Sequence, residues 1–167
     1  YRIMISKIKI PTPIDTYSGT VLPEWIDDNN HMNVAYYVLA FDYATDALFN
    51  FLGLSRAYKD ANNVSTFAVD MNVSYLQELR VGEPFKIQTR MLDCSDKALH
   101  YFHEMSHESK DFLSATNEVL SMHMDMNIRR ITPMAGEIIE WSEQVCDAHT
   151  SLQIAKQAGR VLGIRRK

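Results

Sequence analysis

NVAYYVLAFDYATDALFNFL, residues Asn33 to Leu52, is the stretch on which the fold turns. Beyond Asn33, polar side chains interrupt it only at Asp42, Thr45, Asp46 and Asn50. Three of these, Asp42, Asp46 and Asn50, fall at i, i+4 and i+8, so they share one stripe of a helix that is apolar around most of its circumference. Gly53 is a natural stop. Such a helix is central, and something must wrap it.

The wrapping follows in the chain. Segments 65–79, 84–93, 97–107 and 113–128 alternate apolar and polar residues and are separated by the turn signals RVGEP, DCSDK and HESKD. Four such runs predict an antiparallel meander and an α+β fold with the sheet curled around the helix. Upstream, TVLPEWI (20–26) reads as a short strand whose Pro23 puts it at an edge, and PTPIDTYSG (11–19) as a linker. After Pro133 the apolar spacing becomes threes and fours: Ile138, Trp141, Val145, Ala148, Leu152, Ala155 and Leu162, with a break at Gly159. This predicts an amphipathic C-terminal helix. The expected organisation is an extension over 1–19, a domain over 20–132 and a helical extension over 133–167. A single curled sheet leaves open edges, so a homodimer or a dimer of dimers is expected.

At 167 residues, 46% hydrophobic and 23% charged, the composition is that of one globular domain. Seventeen Lys and Arg against 21 Asp and Glu give a net charge of -4, which argues against nucleic-acid binding. The basic end, Ile164 to Lys167, reads as a solvated tail. Cys94 and Cys146 are too few for a disulfide framework or a four-cysteine zinc site, and they suit a reducing compartment, the cytoplasm by default. YRIMISKIKI at the start is too short and too interrupted by Lys for a signal peptide, and no run is apolar enough to span a membrane. The first residue is Tyr1 rather than Met, as in a trimmed or tagged piece or in part of a longer chain.

Chemistry concentrates just before the helix, in DDNNHMNVAYY (27–37). Asp and Asn are the preferred helix caps, so a polar loop here has a plain structural reading. It also assembles catalytic parts: a carboxylate to serve as base or nucleophile, His31 to relay a proton near neutral pH, and helix N–H groups free to hold an oxyanion. His103-Glu104-Met105-Ser106-His107 matches the zinc-peptidase pattern, but that pattern works on a helix. Here it alternates like a strand, which sets the two histidines about 13 Å apart. No metal or cofactor is expected.

Asp27-x-Asn29-x-His31-x-Asn33 with Tyr37 resembles the D-x-N-x-H-x-N signature of plant-type acyl-ACP thioesterases, within the hotdog-fold thioesterases. The order of elements agrees over residues 20–130. Asp27 also matches the active-site Asp of 4-hydroxybenzoyl-CoA thioesterases, and Tyr75-Leu76-Gln77-Glu78 is similar to the strand bearing the plant enzymes' Glu. PEWIDDNNHMNVAYYVLAFDYATDAL, LHYFHEM and ATNEVL look most like the thioesterases found beside, or fused to, bacterial carnitine dehydrogenases. The resemblance implies an acyl-CoA substrate, betainyl-CoA in particular, and catalysis by Asp27, Asn29, His31 and Glu78 at a dimer interface. Val34 departs from the plant pattern, where a second Asn stands. Trp25, Asn33, Val34, Tyr36 and Tyr37 are the expected substrate contacts. Trp25, Tyr36, Tyr37 and Phe41 could hold a trimethylammonium group through cation–π attraction, and Asp42 and Asp46 could pair with it. The rivals are a hotdog dehydratase, whose His is followed by a Gly-Pro-rich loop that is missing here, and a non-catalytic acyl-CoA binding protein.

Overall fold

The computed structural model describes residues 9–153 and 155–164. Helix α1, Val34–Leu52, buries Tyr37, Ala40, Phe41, Ala44, Leu48, Phe49 and Leu52, a spacing of threes and fours. Asp42, Asp46 and Asn50 form the exposed stripe that the sequence predicts. The Asn33 side chain caps the helix by accepting the Ala35 N–H at 2.9 Å, and Gly53 ends it in the left-handed conformation at φ 90°.

A six-stranded antiparallel sheet wraps this helix. Its strands are β1 (Ile14–Thr20), β2 (Val64–Tyr75), β3 (Pro84–Cys94), β4 (Ala98–His107), β5 (Leu113–Asp125) and β6 (Arg130–Ile131), in the order β1-β3-β4-β5-β2 with β6 on β5. Helix α2, Arg56–Asn62, links α1 to β2, and α3, Gly136–His149, follows β6. The inward rows Phe85, Ile87 and Met91 of β3 and Leu99, Tyr101 and Met105 of β4 are buried, whereas the outward rows, apart from the buried Phe102, keep some solvent.

Four expectations change. The stretch 11–19, read as a linker, contains β1, paired with β3 from Ile14↔Thr89 to Thr20↔Pro84. Its prolines precede the strand, and Gly19 marks a close approach: a Cβ there would meet the Phe85 ring at 3.0 Å. TVLPEWI is correspondingly no strand but a 3-10 turn at Pro23–Trp25. Nor do four strands make one meander. Because β1 occupies the free side of β3, β2 crosses to the far edge and pairs with β5. The predicted C-terminal helix ends at His149, where the imidazole accepts the Met91 N–H at 2.9 Å and meets the Pro11 carbonyl oxygen at 2.9 Å. Beyond it, the chain runs over the outer sheet face, with the Gly159 N–H donating to Glu118 and the Arg160 carbonyl accepting from Asn72. Residues 1–8 and 165–167, with the N-terminal run and most of the basic tail, lie outside the described residues.

Beneath the middle of α1 sits a buried polar knot. His103 is fully buried, stacks on Phe41 and bonds through its two ring nitrogens to Thr89 at 2.7 Å and Thr45 at 3.0 Å. Thr45 gives its proton to the Phe41 carbonyl, which leaves its oxygen to accept from His103 Nε2–H. Burial lowers the imidazole pKa from 6.5 to about 3, so the ring stays neutral in the fold. Unfolded chains take up this proton below pH 6.5 and the native state does not. The stability is therefore complete above pH 6.5 and falls as the pH drops toward 3. Chemical denaturation should show His103→Gln losing about 2 kcal/mol less than wild type between pH 7 and pH 5. An identical pH dependence in the two proteins would refute this.

Candidate active site

The polar run before α1 is a closed loop. Ile26 bridges Met32, the Asp27 N–H donates to the His31 carbonyl at 3.1 Å, and the Asn33 N–H donates to the Trp25 carbonyl at 2.9 Å. Asn30 turns the chain at φ 62°, a conformation Asn tolerates, and its N–H returns to the Asp27 carbonyl. Asp27 Oδ1 accepts the Asn29 N–H at 2.8 Å and stands 3.7 Å from His31 Nδ1. The crowd of polar residues thus builds a tight turn and also sets a carboxylate behind an imidazole.

A single residue ties this loop to the rest of the site. Leu79, fully buried, accepts the Met32 N–H at 2.8 Å and donates its own N–H to the buried Tyr37 hydroxyl at 3.1 Å. His31 precedes Met32 and Glu78 precedes Leu79, so one clamp registers both against the first turn of α1. Between them opens a cavity of about 220 Å³ lined by His31, Met32, Val34, Tyr37, Tyr75 and the run Leu76 to Glu78. Glu78 is the sole carboxylate among these residues. It lies in the segment after β2 rather than on the strand, and Arg80 donates to it at 2.8 and 3.1 Å. Of the described residues, none accepts the Val34 N–H, which stands at the helix N-terminus where partial positive charge accumulates.

The structure brings His31, Glu78, Val34 and Tyr37 around one cavity, with Asp27 in support. Other expected residues fall elsewhere. Asn29 is exposed and meets Asp27 through its backbone; Asn33 spends its amide oxygen on the cap. Trp25 and Tyr36 stack on each other at 5.4 Å, and Trp25 packs against Phe85, so neither lines the cavity. Phe41 is core. Sequence reading missed Tyr75, the last residue of β2, whose ring stands edge-on to Tyr37 at 5.4 Å and whose hydroxyl donates to the Val34 carbonyl at 3.4 Å. The signal was present in the β2 alternation, which turns Met71, Val73 and Tyr75 to the face shared with Val119, Asn117 and Ala115 of β5. The zinc-like motif lies on β4, with His103 in the core knot and His107 accepting the Ser109 and Lys110 N–H groups.

A long helix enclosed by a curled antiparallel sheet, with a cavity at the helix N-terminus, defines the hotdog class of thioester-processing proteins. Residues 21–142 match the profile of the Thioesterase-like superfamily, and the chain belongs to that family. It is a thioester hydrolase. A betainyl-CoA thioesterase of Pseudomonas aeruginosa is 33% identical over 151 residues, covering 90% of this chain and 95% of that one. An L-carnitine dehydrogenase/betainyl-CoA thioesterase of Rhizobium meliloti is 25% identical, and the match covers 92% of this chain but 31% of that longer protein. Among solved structures, a Staphylococcus aureus protein determined in complex with CoA superposes with a TM-score of 0.87 at 26% identity, covering 96% of this chain and all of that one. Of the described residues, no helix is long and apolar enough to cross a membrane.

Proposed function

We propose that this chain hydrolyses a short acyl-CoA, betainyl-CoA foremost, to the free acid and CoA, with the reaction centred on the cavity between His31 and Glu78. The observation that carries the reading is that His31, Glu78 and Val34, whose N–H has no acceptor among the described residues, line one cavity. Glu78 takes a proton from water as the water attacks the thioester carbonyl carbon, and the carbonyl oxygen gathers negative charge against the Val34 N–H. As the tetrahedral intermediate collapses, the C–S bond breaks and His31, oriented by Asp27, protonates the departing thiolate. Asn29 serves the turn that holds Asp27. Single turnover in heavy-oxygen water separates this route from direct carboxylate attack: label in an enzyme carboxylate would show a covalent intermediate.

The betainyl preference rests on the similarity to the two carnitine-related proteins, which also makes association with a carnitine dehydrogenase a natural setting, with the cytoplasm as the compartment. A homodimer through β2 accounts for its position at the sheet edge with Phe67, Val69 and Met71 exposed. Thiol release should be measured over a panel of acetyl-, butyryl- and betainyl-CoA, with a chelator control. Chelator-resistant release that is fastest with betainyl-CoA is the expected result. Equal turnover of butyryl- and betainyl-CoA would remove the substrate assignment, and no release from any thioester would favour an acyl-CoA binding protein.

A further inference from the structure

The cation of a betainyl thioester has little freedom. Its quaternary nitrogen is two bonds from the carbonyl carbon, about 2.5 Å away. With the carbonyl at the Val34 N–H, the trimethylammonium group must therefore share the 220 Å³ cavity with the reacting atoms. Asp42 and Asp46 are out of reach, since α1 climbs about 12 Å from Val34 to Asp42. Trp25 and Tyr36 are committed to each other outside the cavity. Two aromatic rings line it, Tyr37 and Tyr75. Tyr37 is only 4% exposed and its hydroxyl is engaged by Leu79, whereas Tyr75 is 48% exposed and turned about 78° to the Tyr37 ring.

We propose that Tyr75 is the specificity-determining residue for a cationic acyl group: its exposed ring face receives the trimethylammonium head, with the Glu78 carboxylate lining the same cavity. This rests on the thioesterase reading above and adds to it the element that tells a cation from a neutral group of equal shape. A ring face attracts a cation through its quadrupole, and an aliphatic side chain of similar bulk does not. The Tyr75 hydroxyl contributes a single long contact to Val34, so Phe should replace Tyr with little change.

The test compares betainyl-CoA with 3,3-dimethylbutyryl-CoA, in which carbon replaces the charged nitrogen and the shape is retained. The ammonium group also activates its own thioester, so the quantity read is the change in the betainyl-to-dimethylbutyryl ratio rather than its absolute size. Tyr75→Phe should keep the wild-type ratio of kcat/KM, and Tyr75→Leu should lower it by about tenfold, mainly by raising KM for the cationic thioester. A ratio that survives Tyr75→Leu, or a fall carried by kcat with KM unchanged, would overturn the proposal. Absence of thiol release from either compound in wild type would instead sink the hydrolase reading. The two thioesters would then be compared by calorimetric binding to wild type and Tyr75→Leu. An affinity ratio unchanged by the substitution overturns the seat, and its collapse supports it.

Discussion

Glu78→Gln should lower kcat for thioester hydrolysis by about 10²- to 10⁴-fold, the usual cost of losing a positioned general base. The substitution keeps the size of the side chain and removes its basicity. Stability should hardly move, because Glu78 is 47% exposed and its pairing with Arg80 is a surface contact worth under about 1 kcal/mol. A collapse of turnover in a protein that melts with wild type is thus a catalytic effect rather than a folding one. Asp27→Asn is the informative companion. An amide oxygen can still accept the Asn29 N–H and preserve the turn, so the loss should come from the charge behind His31 and be smaller. If Glu78→Gln kept kcat within about threefold of wild type while Asp27→Asn abolished it, the roles of the two carboxylates would be reversed.

The second large effect is on the fold. Phe41 is fully buried at the middle of α1, stacked on His103 at 5.7 Å, and belongs to the core beside Phe85, Ile87 and Met105. Phe41→Ala should cost about 3–5 kcal/mol through lost burial and the cavity left behind. For a chain of this length that corresponds to a fall in Tm of about 10 °C. Thermal unfolding followed by circular dichroism would register it, and a fall of under about 3 °C would mean that α1 settles into the gap. Phe41→Leu, which retains most of the volume, should lose much less. The consequence reaches the site, because the Val34 N–H is placed by the seating of α1 in the sheet.

The fate of individual residues shows what could be read in advance. Asp42, Asp46 and Asn50 marked an exposed stripe of α1, and the buried face of Tyr37, Ala40, Phe41, Ala44 and Leu48 followed from the 3.6-residue period. Asn33 and Gly53 fixed its ends by their own cap chemistry. The alternations behind β2, β3, β4 and β5 were equally legible, as were the loop and the carboxylate that contain His31, Asp27 and Glu78. All of these rest on short-range periodicity or on turn chemistry written in adjacent residues.

Strand partners are not written in that way. Nothing local in PTPIDTYSG tells of the free side of β3, so β1 passed for a linker and β2 for a neighbour of β3. Trp25, Tyr36, Tyr37 and Tyr75 are chemically alike along the chain, and only packing decides which ring faces the cavity: Trp25 and Tyr36 satisfy each other, Tyr37 turns inward to Leu79, and Tyr75 remains open. The sequence by itself determined a buried helix, the strands around it and a polar loop before the helix, because period and capping act within a few residues. Tertiary structure alone decided that Leu79 joins Met32 to Tyr37, some 40 residues away, and thereby brings His31 and Glu78 to one cavity. That contact follows from the whole chain closing around α1 and from the requirement that a buried N–H and C=O each find a partner.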